Sequence, residues 1–208
     1  MYTFPLAHIV GSTGSVHCFE PQSRQVRNLK VIRRILRANH ITVSHFAIGD
    51  DPGEHTMVLP YRFGVPIYGH AHVGEGTERA LTPQAVHTKR WATPMHTIDS
   101  WCALNQIETV SFIKADVEGF EPNVLTGAAV TIERSRPSML LEIEDRHLGR
   151  YGRDANQFAD EIRSNWPDYG MYTWADGAWT LTNRVGLQTR NYLFATSEAF
   201  IARVPTTL

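Results

Sequence analysis

The sequence predicts an α/β fold in which a mostly parallel sheet is covered by helices on both faces. Short runs of strand-forming residues alternate with stretches whose apolar residues recur at helical spacing, starting with "SVHCF" (15–19) and then Gln22 to about Ala38. Proline and acidic residues stand where strands give way to helices, as in "VHCFEP" and "KADVEGFEP". The chain has 208 residues, 42% hydrophobic and 20% charged, enough for one real core and for a single domain over residues 1–208.

The elements follow in order. "MYTFPLAHIVGSTG" reads as a helix whose "GSTG" turns into the strand at 15–19. In the next helix Val26, Leu29, Ile32 and Leu36 form one apolar face, leaving the arginines of "RQVRNLKVIRRILR" on a solvated face. "TVSHFAIG" (42–49) alternates as a strand and "DDPG" turns. From about 54 to 95 the pattern dissolves into Gly, Pro, His and Thr, read as an irregular insertion or lid with short strands at His55 to Leu59 and Gly64 to His72. "TIDSWCALNQI" (97–107) is a helix with Asp99 as its cap, Ser111 to Ala115 a strand, and Glu121 to Glu133 a helix with Pro122 in its first turn. "SMLLEIE" (138–144), a helix at Asp154 to Trp166, "GMYTWA" (170–175) and "NYLFAT" (191–196) complete the alternation.

Composition excludes several function classes. Twenty Lys and Arg against 21 acids give a net charge of −1, so bulk charge points to neither a nucleic-acid partner nor an anionic membrane. Cys18 and Cys102 are too few for a disulfide framework and fit a reducing cytoplasm. No apolar run approaches the roughly 18–20 residues of a membrane span. The N-terminus has no basic segment followed by an apolar one.

The chemistry concentrates where strands end. Asp116, Glu118 and Glu121 follow the strand at 111–115, and in open α/β sheets ligands bind at that carboxyl edge. Glu121, at a helix start, suits a capping role, and Gly119 permits a sharp turn. Glu20 ends its own strand before Pro21, where a carboxylate can accept hydrogen bonds from both ribose hydroxyls or be a surface acid at a turn. Glu142 and Glu144 share a strand face, with His147 close behind as the histidine best placed to act as a base, unless the cluster is only a solvated strand end. His70 and His72 also share a strand face, but two ligands without a third make no metal motif. Trp91 and Trp101 belong to the core or to an acceptor pocket.

"VHCFEPQ…N…ANHITVSHFAIGDDPG", "TIDSW", "FIKADVEGFEPNVLTGA" and "RPSMLLEIE", in this order and spacing over most of residues 1–150, resemble the FkbM family of S-adenosylmethionine-dependent methyltransferases. The resemblance implies a Rossmann-like class I methyltransferase sheet, mostly parallel with an antiparallel last strand. It also implies transfer of a methyl group from S-adenosyl-L-methionine to a hydroxyl of a sugar or secondary metabolite. By the same resemblance Ala47, Ile48 and Asp50 lie by the adenine and Asp116 where cofactor and acceptor meet; with Glu20 they are the candidate cofactor-binding residues, and Asp116, Glu118 and His147 are the candidate catalytic residues, with no metal site expected. Asp116 is the first candidate for the base that deprotonates the acceptor, and Glu118 orients the acceptor or is the base itself.

The chain departs from the family at its start. Family members place a first strand and a Gly-rich turn, both touching the cofactor, before the first helix; "MYTFPLAHIVGSTG" already reads as that helix, so the sheet is expected to be N-terminally incomplete. The strand would be central, between those bearing Glu20 and Asp116, and its loss leaves two unpaired inner edges. Three readings follow: an O-methyltransferase, a non-catalytic or truncated relative with a binding or assembly role, and a divalent-metal hydrolase built on the acids. The partner expected is a small-molecule or glycan hydroxyl acceptor; oligomeric state is not legible.

Overall fold

A computed structural model describes residues 2–77, 87–186 and 188–201. Helix α1 (Thr3–Val10) passes through a 3-10 turn at Gly11–Thr13 into strand β1 (Val16–Phe19), so "GSTG" is the expected connection. Helix α2 (Ser23–Ile35) returns to β2 (Ile41–Ser44), which pairs with β1 in parallel from Val16↔Ile41 to Phe19↔Ser44. Only half of the expected apolar face of α2 is covered: Val26 and Leu29 are buried, while Ile32 and Leu36 lie open to solvent with Ile35.

The run expected as one strand at 42–49 breaks at His45–Phe46. Its second part, β3 (Ala47–Ile48), leaves β1 for a different sheet. That sheet contains the segment expected to be irregular: β4 (Gly53–Arg62), β5 (Val65–Pro66), a 3-10 turn at Tyr68–His70, β6 (His72–Val73) and β7 (His87–His96). β4 and β7 form an antiparallel ladder of nine pairs, from Gly53↔Met95 to Tyr61↔His87. β3 joins β7 in parallel, and β4 carries β5 and β6 on its other side. Met57, Val58 and Leu59 are buried at its centre. His70 and His72 therefore share no strand face, since the first lies in the 3-10 turn and the second in β6.

Helix α3 (Ile98–Leu104) is capped by Thr97, whose hydroxyl accepts from the Ser100 N–H while Ser100 reciprocates. Asp99, expected to be that cap, instead accepts the N–H groups of Val130 and Thr131 at 3.0 and 2.8 Å, capping a different helix in three dimensions. After β8 (Phe112–Ala115), the helix expected over 121–133 is two: α4 (Glu121–Thr126) and α5 (Ala129–Ser135). The break falls at Gly127, where a Cβ would stand 2.0 Å from the Gly49 carbonyl oxygen, so the backbones touch and no side chain fits.

β9 (Ser138–Glu142), α6 (Asp145–Leu148), a 3-10 turn at Gly149–Tyr151, α7 (Ala155–Asn165), β10 (Tyr169–Ala175), β11 (Ala178–Leu181), β12 (Asn191–Thr196) and α8 (Ser197–Ile201) follow. They build a five-stranded sheet in the order β11-β10-β12-β9-β8. β8 and β9 are parallel and the other pairs antiparallel, so β12 is reversed between β9 and β10, and β11 is a hairpin return from β10. The architecture is mixed α/β, with mixed rather than mainly parallel sheets. Its main core joins Met139, Leu141, Tyr192 and Phe194 of this sheet to Ile132, Phe158 and Ile162 of the helices.

Among the described residues β1 pairs only with β2, and β8 only with β9, so each keeps one open edge. Side chains at the start of α1 and just before it reach both strands: the Thr3 hydroxyl donates to Cys18 Sγ at 3.3 Å, and the Lys114 ammonium lies 5.1 Å from the centre of the Tyr2 ring. No described helix is long and apolar enough to cross a membrane.

Candidate active site

Parallel register places Ala115 opposite Leu141, so the next residues, Asp116 and Glu142, emerge side by side at the carboxyl edge of β8 and β9. The Asp116 side chain is 48% exposed, with Lys114 Nζ 4.0 Å away. That ammonium is otherwise engaged by the Ala115 carbonyl and Asn191 Oδ1. Burial, reinforced by a hydrogen bond with Asp116 and by its charge, pushes the Glu142 carboxyl up to about 8. Two acids thus meet where one of them favours holding a proton.

Glu118 is turned inward by its backbone. Its φ of 61° is followed by 100° at Gly119, two successive left-handed residues. A Cβ on Gly119 would lie 2.3 Å from the His147 carbonyl oxygen, so the loop is pressed directly against α6. The Glu118 carboxylate then lies 3.3 Å from both Arg150 Nη1 and His147 Nε2. Burial raises Glu118 to about 7 against the pull of Arg150, and burial with Arg150 and Arg146 lowers His147 to about 4. The Glu118–His147 contact is therefore not an ion pair near neutrality, because the imidazole carries no charge there. His147 is 3% exposed and its Nε2 has no hydrogen-bond partner.

Glu121, expected as a helix cap, braces the loop instead. Its Oε1 accepts the Val117 N–H at 2.8 Å, and burial pushes the group to about 7. Glu144, expected beside Glu142 on one strand face, lies beyond β9 and is held by Arg146 at 2.6 Å and Arg190 at 3.0 Å.

Glu20 closes β1, where its Oε1 accepts the Gln22 N–H at 2.8 Å and burial raises its carboxyl against the hydrogen bonds from Gln22. Gln22 Oε1 beside it is buried without a partner, while Gln22 Nε2 donates to the Tyr68 carbonyl. Two residues on, the His70 ring packs edge-on to His147 at 6.1 Å. The 3-10 turn at Tyr68–His70 thus touches both the Glu20 end and the His147 end. Ala47 and Ile48 are buried in β3, and both Asp50 oxygens accept from Asn123 Nδ2 of α4. Trp101 packs with Phe19 and Phe46 and donates to His17 Nδ1, while Trp91 packs on the core around Met57 and Met95.

Sequence reasoning missed Lys114 and Arg150, the cations that neighbour Asp116 and Glu118. Nothing in local spacing marks either. The same edge brings donor atoms of Glu118, Glu142 and His147 within 4.8 Å of one another, a juxtaposition of potential ligands not expected from the sequence.

The family described as the Methyltransferase FkbM domain matches residues 1–170, and the chain belongs to that family. Its fold is similar to the crystal structure of Methyltransferase FkbM from Methylobacillus flagellatus KT, with a TM-score of 0.54 and 19% identity. The similarity covers 92% of this chain but 40% of that one. No curated protein matches.

Proposed function

We propose that the chain is an S-adenosylmethionine-dependent O-methyltransferase with a Rossmann-like class I arrangement, acting on a hydroxyl of a sugar or secondary metabolite. The observation that carries this reading is Asp116, a half-exposed carboxylate at the strand edge beside a protonatable Glu142. It can take the acceptor's proton while its neighbours stay fixed. Glu118, held by Arg150, orients the acceptor, and His147 backs it from α6.

The residues fit the cofactor at its ribose end. Glu20 and the partnerless Gln22 Oε1 are two acceptors at the end of β1, the complement of two ribose hydroxyls. Ala47, Ile48 and Asp50 would hold the adenine on this reading. S-adenosyl-L-methionine supplies a methyl group on a sulfonium, activated for displacement. The chain's task is then to align acceptor and methyl and to remove one proton. Two cysteines and the near-neutral charge support a cytoplasmic site of action.

The open edges of β1 and β8 favour a second reading, a methyltransferase-fold protein with a binding or assembly role. Calorimetric titration with S-adenosylhomocysteine, followed by transfer of labelled methyl to a panel of sugar and polyketide hydroxyls, separates the two. Binding with transfer upholds the enzyme. Neither, in a folded chain, leaves the assembly role.

A further inference from the structure

We propose that Glu118, Glu142 and His147 form a site for one divalent first-row metal ion of the Mn²⁺ or Zn²⁺ kind. The three residues come from three different elements, the loop after β8, the end of β9 and α6. Their donor atoms all lie within 4.8 Å of one another. Ligands bound at about 2.0–2.2 Å stand roughly 3–4.4 Å apart around an ion, so small side-chain movements close the cluster on it.

The independent sign of a missing ligand is His147 Nε2. It is buried and has no hydrogen-bond partner, although Glu118 Oε2 lies 3.3 Å away. The contact lacks hydrogen-bond alignment, so a buried ring nitrogen faces a carboxylate with nothing properly between them. Charge points the same way. Glu142 has another acid, Asp116, as its neighbour, whereas Arg150 serves Glu118 and the Lys114 ammonium is held by the Ala115 carbonyl and Asn191. A cation at the centre would relieve the crowding of Glu118 and Glu142 and occupy the imidazole.

The donor set selects the ion. One imidazole with two carboxylates suits Mn²⁺ or Zn²⁺ better than Ca²⁺ or Mg²⁺, which prefer oxygen throughout. Three protein ligands leave at least one position open, and Asp116 stands beside it through Glu142. On the methyl-transfer reading that position takes the acceptor hydroxyl. The ion draws electron density from the oxygen and the proton passes to Asp116. This role rests on that reading, whereas binding of the ion does not.

The test is titration of the chelator-treated chain with MnCl₂, followed by calorimetry and by electron paramagnetic resonance of free Mn²⁺. One saturable site is expected, weakened tenfold or more in both Glu142→Gln and His147→Ala. Circular dichroism melting checks that each variant is folded; if His147→Ala is not, the near-isosteric Glu142→Gln decides alone. No saturable binding, or affinity unchanged in the folded variants, overturns the site. S-adenosylhomocysteine titrated in excess EDTA keeps the two proposals separate. Mn²⁺ binding without nucleoside binding upholds the ion site and sinks the methyltransferase reading, and the reverse result overturns the ion site alone.

Discussion

Asp116 and Glu20 carry the two halves of the proposed reaction, and each has its own test. Asp116→Asn keeps the side chain's size but removes its proton acceptor, so turnover should fall by about 10² to 10⁴ with little change in cofactor affinity. Steady-state kinetics at saturating cofactor reads this; unchanged turnover with weakened binding would make Asp116 a binding residue. Glu20→Ala removes the acceptor at the end of β1 and should weaken S-adenosylhomocysteine by about 1–3 kcal/mol. Calorimetry on the folded variant decides, and equal affinity rejects the ribose assignment. Both positions were legible in the sequence because a carboxylate following a strand is placed by the strand itself. Glu118's orientation was not, because it depends on the φ of 61° and on α6 standing behind Gly119.

At the scale of elements, the loop from Asp116 to Phe120 is the joint on which the site depends. Gly119→Ala would put a methyl group against the His147 carbonyl at a φ of 100°, so the loop must lift from α6. A loss of about 1–3 kcal/mol is expected from backbone strain alone, together with loss of the Glu118–His147 approach. Denaturant unfolding measures the first; an unchanged midpoint would show that the loop yields freely. Helix and strand positions were read well wherever the signal was local. The errors have a common cause. The β4–β7 ladder joins residues distant in the chain, from Tyr61↔His87 to Gly53↔Met95, the α4–α5 break answers to the Gly49 carbonyl, and Asp99 caps α5 rather than its own helix. In each case the deciding partner is distant in the chain, and no local pattern contains it.

Across the whole molecule, buried acids set the response to pH. Glu118 and Glu121 are raised to about 7 and Glu142 to about 8 from an ordinary 4.5. A carboxyl whose folded pKa is raised adds stability that is complete below the unfolded value and lost as pH rises through the folded one. His147, lowered from 6.5 to about 4, has the opposite slope, but its contribution is complete above pH 6.5. From pH 6.5 to 8.5 only the glutamates of this group still titrate, so the melting temperature in EDTA should fall over that range. A flat or rising profile would show that these carboxyls are ionised in the fold.

The sequence by itself determined the alternation of strands and helices, the family, and the placing of Glu20 and Asp116 at strand ends, because periodicity and chain direction are local properties. Only the tertiary structure decided that the sheets are mixed, that the stretch at 53–96 is an ordered β-sheet element over its described residues, and that Glu118, Glu142 and His147 converge. Those outcomes depend on which distant backbones pair and which side chains share one buried volume. In such a volume desolvation, rather than residue type, sets the charge that each group carries.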